Sequence, residues 1–270
     1  MKQLFAPLGI ITLLLASCSS SEKKQEADTI TDESAVITNE KPESVHPEHN
    51  IPFKIQTFEE KKGDNELKIE YPVEGNPGLL LGIREWINEQ ITGSYRGDLD
   101  NAEGFFRYYA NRLGTDPDLA EYGGFTKDEF DLEYLDEYVV TYNHISYEYL
   151  GGAHGSGGAY GTSFLQSDGT IFTKDCFTSY EPLHEFFIQG LKRYFKVENT
   201  SELMECLLNV KALGALPAPA MHPWVVEEGV MFSYTPYEIA PYSAGSPHFV
   251  IPVDDLKPYL SERGKRFFGL

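Results

Sequence analysis

Tyr138-Val139-Val140-Thr141-Tyr142-Asn143-His144-Ile145-Ser146-Tyr147-Glu148-Tyr149 is the stretch on which the fold class turns. This tyrosine-rich run reads as one long strand. Tyr138, Val140 and Tyr142 share one strand face, whereas Ile145, Tyr147 and Tyr149 have the opposite parity. A slip of phase near Asn143-His144 predicts a β-bulge there. Downstream, residues 164–173 read as a hairpin turning at Asp168-Gly169. Leu183, Phe186, Phe187, Leu191 and Tyr194 then mark an amphipathic helix, followed by a shorter one through Leu203 and Leu207. Residues 224–234 predict a second hairpin turning at Glu228-Gly229, residues 249–253 a strand, and residues 254–260 a closing helix.

Upstream of that strand, two alternating runs, Phe53-Lys54-Ile55-Gln56-Thr57-Phe58 and Leu67-Lys68-Ile69-Glu70-Tyr71, read as half-buried strands joined at Lys62-Gly63-Asp64-Asn65. Leu80, Ile83, Ile87 and Ile91 recur at helical spacing up to Gly93, and Phe105, Tyr109 and Leu113 do so up to Gly114. Strands and helices segregate instead of alternating, which argues for an α+β fold over a doubly wound parallel sheet. The expected architecture is an antiparallel sheet packed by helices, with an N-terminal subdomain over residues 53–130 and a larger C-terminal subdomain over residues 131–270.

The first residues supply an address. Lys2 precedes an apolar run over residues 8–15, and Leu15-Ala16-Ser17-Cys18 follows. That is the layout of a signal peptide over residues 1–17. The run falls well short of the ~20 residues that span a bilayer. A cysteine directly after small residues resembles the bacterial lipobox, which implies acylation of Cys18 and a lipid-anchored mature chain. A soluble secreted protein cut nearby is the alternative. Residues 18–52 are polar and charged, too poor in apolar side chains to fold, and read as a disordered leash. About thirty such residues span roughly 30 Å. His46 and His49 lie in this leash and read as solvated linker residues. The expected location is the cell envelope, on a bacterial membrane and by expectation the outer one.

The formal charge of −20 repels nucleic acid and anionic lipid and favours cationic partners, although solubility alone would also account for it. Cys176 and Cys206 are compatible either with a disulfide in an oxidising envelope or with buried free thiols.

Two segments stand out chemically. Gly151-Gly152-Ala153-His154-Gly155-Ser156-Gly157-Gly158-Ala159-Tyr160-Gly161 carries six glycines, which implies positive-φ backbone or close backbone approach in a loop. It ends in no Gly-Lys-Ser/Thr, and its spacing fails the dinucleotide fingerprint. His154 reads either as an acid–base or ligand-contacting ring, or as a ring that holds the loop's shape through backbone hydrogen bonds. Tyr234-Thr235-Pro236-Tyr237-Glu238-Ile239-Ala240-Pro241-Tyr242-Ser243-Ala244-Gly245 is a proline-fixed aromatic segment, either a contact surface or a packed connection.

The strand leading into Tyr149-Leu150-Gly151-Gly152-Ala153-His154-Gly155 resembles the signature of a bacterial envelope domain family of undefined function. Asp168-Gly169-Thr170, Asp175-Cys176-Phe177 and Pro236-Tyr237-Glu238-Ile239-Ala240-Pro241-Tyr242-Ser243-Ala244-Gly245 are similar to the steps that follow in that family. Tyr71-Pro72 before Ile87-Asn88 resembles its usual N-terminal partner region. Relatives include the extracellular region of a lysozyme-sensing anti-sigma-V factor and a non-catalytic domain beside peptidoglycan deacetylases. The resemblance implies an α+β binding module whose partner is a cationic protein such as lysozyme, or a peptidoglycan fragment. The candidate ligand contacts are Tyr149, Gly151, Gly152, His154, Gly155, Tyr237 and Tyr242.

Catalytic constellations are thin. The histidines at 144, 154, 184, 222 and 248 lack zinc-hydrolase spacing, and no Gly-x-Ser-x-Gly elbow occurs. No cofactor, metal or catalytic residue is assigned from the sequence. An envelope hydrolase using His154 with nearby carboxylates, and a purely structural lipoprotein, stand as the alternatives to a binder.

Overall fold

In the computed structural model, residues 52–117 and 121–270 are described; the expected signal peptide, Cys18 and nearly all of the leash lie outside them. Strand β1 (Lys54–Lys62) turns through Gly63, at φ 63°, into β2 (Asn65–Glu74), and the two pair antiparallel. Helix α1 (Pro77–Ile91) begins where the Asn76 side chain accepts the Gly78 N–H, with proline in the first turn. It buries Leu79, Ile83, Trp86 and Ile87. Helix α2 (Ala102–Ala110), capped by Asn101, buries Phe105 and Tyr109 and ends short of the expected Gly114.

Strand β3 (Phe125–Leu135) returns parallel to β2, pairing Glu66 with Lys127 and Ile69 with Phe130. This one parallel pair departs from the antiparallel expectation. The two helices supply the long crossover that parallel neighbours require. β4 (Val139–Tyr149) and β5 (Ser156–Leu165) complete a sheet of order β1-β2-β3-β4-β5, antiparallel from β3 onward.

The bulge expected at Asn143-His144 is absent. β4 pairs with β5 without a slip, and the irregularity sits in β3 between Leu132 and Tyr134. The change of parity in β4 has another cause. Val139 to Tyr142 are buried on both faces, His144 continues the face of Val140 and Tyr142, and Ile145 beyond is exposed.

The division expected at residues 130/131 falls inside β3, because the compositional shift there marks the interior of a strand, not the start of a separate unit. The structure does have two parts, set by two hydrophobic clusters. One joins Ile69, Trp86, Phe105, Phe130, Tyr142 and Phe164. The other joins Val139, Leu165, Phe187, Leu191, Phe232 and Phe249. β4 contributes to both.

The second part holds α3 (His184–Phe195), α4 (Thr200–Cys206), a sheet of β6 (Trp224–Val226), β7 (Gly229–Ser233) and β8 (His248–Ile251), and the short helices α5 (Val253–Leu256) and α6 (Glu262–Lys265). Asn199 and Glu202 form a reciprocal capping box on α4. Val226 pairs with Gly229, so the hairpin turns one residue earlier than expected. Beyond β5 the expected hairpin is reduced to a bridge, Phe164 to Ile171.

β6 meets β4 and β5 through a buried set of hydrogen bonds. The Thr141 hydroxyl donates to the Val225 carbonyl at 2.8 Å, the Val225 N–H donates to Ser163 Oγ at 2.7 Å, and the two hydroxyls lie 2.7 Å apart. Next to them Gly161 passes under Trp224, where a Cβ would lie 2.1 Å from the indole. Ser163→Ala would strand the Val225 N–H in a dry joint and is expected to cost about 1–3 kcal/mol. The thermal midpoint of unfolding should fall accordingly, and an unchanged midpoint would refute the joint's role.

Candidate functional site

The glycine-rich segment is only partly a loop. Ser156 to Gly161 belong to β5, so the expectation of a loop over all eleven residues is corrected. Most of these glycines serve close approach: a Cβ on Gly157 would lie 2.4 Å from the Ser146 carbonyl oxygen. Only Gly151, at φ 84°, and Gly152, at φ 111°, use the left-handed region that side chains avoid. The Tyr149 hydroxyl donates to the Gly152 carbonyl at 2.9 Å and closes this turn.

His154 lies exposed beyond the turn. Its Nδ1 donates to the Gly155 carbonyl at 3.0 Å, and its ring stacks on Tyr242 with centroids 4.9 Å apart. Tyr242 stacks in turn on Tyr237 at 5.6 Å, and its hydroxyl donates to the same Gly155 carbonyl at 2.8 Å. Three rings from two distant segments thus form one ladder. Tyr237 ends it, 60% exposed and at φ 68°, a costly conformation for an aromatic residue.

The second segment is fixed from behind. Tyr234 is buried and donates to the Pro217 carbonyl, while one Glu238 oxygen accepts the Thr235 N–H and hydroxyl and the other accepts the Ala220 N–H. Ile239 and Ala240 are buried. Tyr234, Glu238, Ile239 and Ala240 thus form a packed connection, while Tyr237 stands exposed.

Of the candidate contacts, Gly151, His154, Gly155, Tyr237 and Tyr242 line one cavity of about 450 Å³, with Glu148 and Tyr160 also in its wall. Tyr149 and Gly152 shape the adjoining turn. A second cavity of about 580 Å³ shares Glu148, Ser156, Gly157 and Tyr160 with the first and continues past Ser146 to Arg112.

The wall of this second cavity includes a pair that the sequence did not reveal, a buried histidine against a half-buried aspartate. His144 Nε2 lies 2.9 Å from Asp128 Oδ1, and the ring stacks on Phe130 at 4.2 Å. The pair forms diagonally across β3 and β4, where Phe130 faces His144 and Asp128 faces Ser146. Only the strand register brings them together, so no local signal could have found them. On the neighbouring strand Lys68 bridges Glu129 at 2.5 Å and Asp131 at 2.8 Å. Burial alone would depress the Lys68 ammonium, but the two carboxylates raise it well above the usual range.

Cys176 and Cys206 are both free thiols, the first buried and the second half-buried. Burial pushes the Cys176 thiol up, the reverse of what a nucleophile needs. Among the described residues no three His, Cys, Asp or Glu side chains gather as a metal site, and no helix is long and apolar enough to cross a membrane.

Residues 222–254 match a family described only as a protein of unknown function, DUF3298. The DUF3298 match covers β6, β7 and β8 together with Tyr237 and Tyr242; the Gly151–Gly155 turn lies outside it. Two solved structures of that family share the fold. One, from Bacteroides fragilis, superposes with a TM-score of 0.60 at 18% identity, over 82% of this chain and 97% of its own. The other, from Pseudomonas aeruginosa PAO1, gives 0.51 at 15% identity, over 78% and 95%. No curated protein matches the chain.

Tyr242→Phe keeps the ring ladder but leaves the Gly155 carbonyl with the His154 Nδ1–H as its one side-chain donor. The expected result is faster amide hydrogen exchange over residues 151–157, with global stability changed by about 1 kcal/mol or less. Exchange unchanged from wild type would show that the hydroxyl does not hold the turn.

Proposed function

We propose that this protein is a cell-envelope lipoprotein, held through lipid on Cys18, that binds a basic partner protein of the lysozyme kind at the aromatic cavity. The observation that carries this reading is the ladder of His154, Tyr242 and Tyr237 standing beside Glu148 in a cavity that no lysine or arginine lines. Tyrosine faces attract cations through the ring quadrupole, and a carboxylate in the same wall adds to that attraction. The surplus of acidic residues in a chain of charge −20 steers a basic protein toward the site from a distance. Stacked tyrosines also offer flat apolar faces to sugar rings, so a peptidoglycan fragment is the competing ligand within this reading.

His154 fits binding better than hydrolysis. One ring nitrogen is engaged with the adjacent backbone, and the ring is stacked. A hydrolase would instead require His154→Ala to abolish turnover of cell-wall material with the melting midpoint unchanged.

Affinity of the full chain for lysozyme should weaken about tenfold or more as NaCl rises from about 50 to about 500 mM, because screening shortens the reach of the acidic field. Glu148→Gln and Tyr237→Ala should each weaken it further at low salt. Affinity that persists unchanged at high salt would rule out capture by charge. Separately, Cys18→Ser should move the protein from the membrane fraction to the soluble one; a variant still sedimenting with membranes would remove the lipid anchor from the account.

A further inference from the structure

The five-stranded sheet has two edges, and they are built differently. β1 forms one of them and carries Lys54, Glu59, Glu60, Lys61 and Lys62, charged side chains of the sort that keep an edge from pairing with another chain. β5 forms the other. Its ten residues include no charge and no proline, and its register with β4 runs without a bulge. The usual guards of an exposed edge are missing from it.

Backbone hydrogen bonds show how much of this edge is in use. The Ser163 carbonyl accepts the Phe172 N–H at 2.8 Å, and the Leu165 N–H donates to the Thr170 carbonyl at 2.8 Å. Both bonds lie on the side away from β4. Backbone groups alternate in direction along an antiparallel strand, so the odd-numbered residues of β5 point outward. Gly155 obeys the same parity, and its outward carbonyl is taken by Tyr242. Gly161 is sealed beneath Trp224. Between these closed ends stand Gly157 and Ala159. Neither is buried, and among the described residues neither has a backbone hydrogen bond beyond the β4 ladder. The aromatic cavity opens at the same place, with Ser156, Gly157 and Tyr160 in its wall.

We infer that the edge from Ser156 to Tyr160 takes up an extended, basic segment of the partner protein by strand addition. The incoming chain pairs its backbone with the free N–H and C=O groups of Gly157 and Ala159, which gives attachment. The missing Cβ of Gly157 answers to β4, and nothing larger than the single methyl of Ala159 stands at either residue to screen the edge. Side chains alternate along an added strand, and those that reach Tyr237 and Glu148 meet aromatic faces and a carboxylate. Lysine or arginine fits that lining. The inference rests on the binding reading above and specifies how the partner is held.

The test uses the full chain in detergent and a short peptide of alternating lysine and valine. Its counterparts are the same peptide N-methylated at alternate amides, and a glutamate–valine peptide. The lysine peptide should bind, while N-methylation, which removes backbone donors without touching charge, should weaken it about tenfold or more, as should the acidic replacement. Ala159→Pro removes an outward N–H and no β4 bond, so it should abolish peptide binding while leaving the melting midpoint close to wild type. Equal binding of the methylated and unmethylated peptides would overturn strand addition. So would self-association of the chain that Ala159→Pro abolishes, with no peptide bound, since the edge would then serve a second copy. Lysozyme binding separates the two levels of the argument. If lysozyme still binds at low salt while N-methylation has no effect, only the edge inference fails; if lysozyme does not bind at all, the binding reading fails with it.

Discussion

The structure depends on a dry joint between two sheets. Thr141 and Ser163, two small hydroxyl residues on adjacent strands, satisfy each other and both backbone groups of Val225. Every polar atom in that set has a partner, which is the condition for burying it. Gly161 next to it has no side chain, so Trp224 can lie flat against β5. Without these three small residues the second sheet could not approach the first.

The same joint determines where the aromatic segment can go. β6 and β7 are held against β5, and the chain that leaves β7 is pinned by Tyr234 and Glu238. It is thereby delivered to the Gly151–Gly155 turn, where Tyr242 donates to Gly155 and stacks on His154. A packing constraint in the core thus becomes the geometry of an exposed site. The strain at Tyr237 belongs to the same chain of causes, since the segment is fixed on one side by buried Ile239 and Ala240 and on the other by the ring stack.

The glycines of the segment from 151 to 161 divide the work. Gly151 and Gly152 make a turn that other residues would resist, whereas Gly157 and Gly161 permit close approach within a strand. One compositional feature therefore has two physical uses, and the second leaves β5 with a smooth edge beside the cavity. β1, on the opposite edge, keeps its charges.

Much of this was legible in the residues themselves. Alternation and helical spacing located most of the strands and helices, because those periods report which face of a local element meets apolar surroundings. The aromatic and glycine-rich segments announced themselves by composition. What the sequence could not determine was pairing. The parallel return of β3, the bulge at Glu133 instead of Asn143, the His144–Asp128 pair and the ladder of His154 on Tyr242 all depend on which strand lies beside which, and in what register. Residues 154 and 242 carry no local mark of each other. Local periodicity is a property of neighbours in the chain, whereas register is settled only when distant surfaces compete for the same buried space, and that competition exists only in the folded molecule.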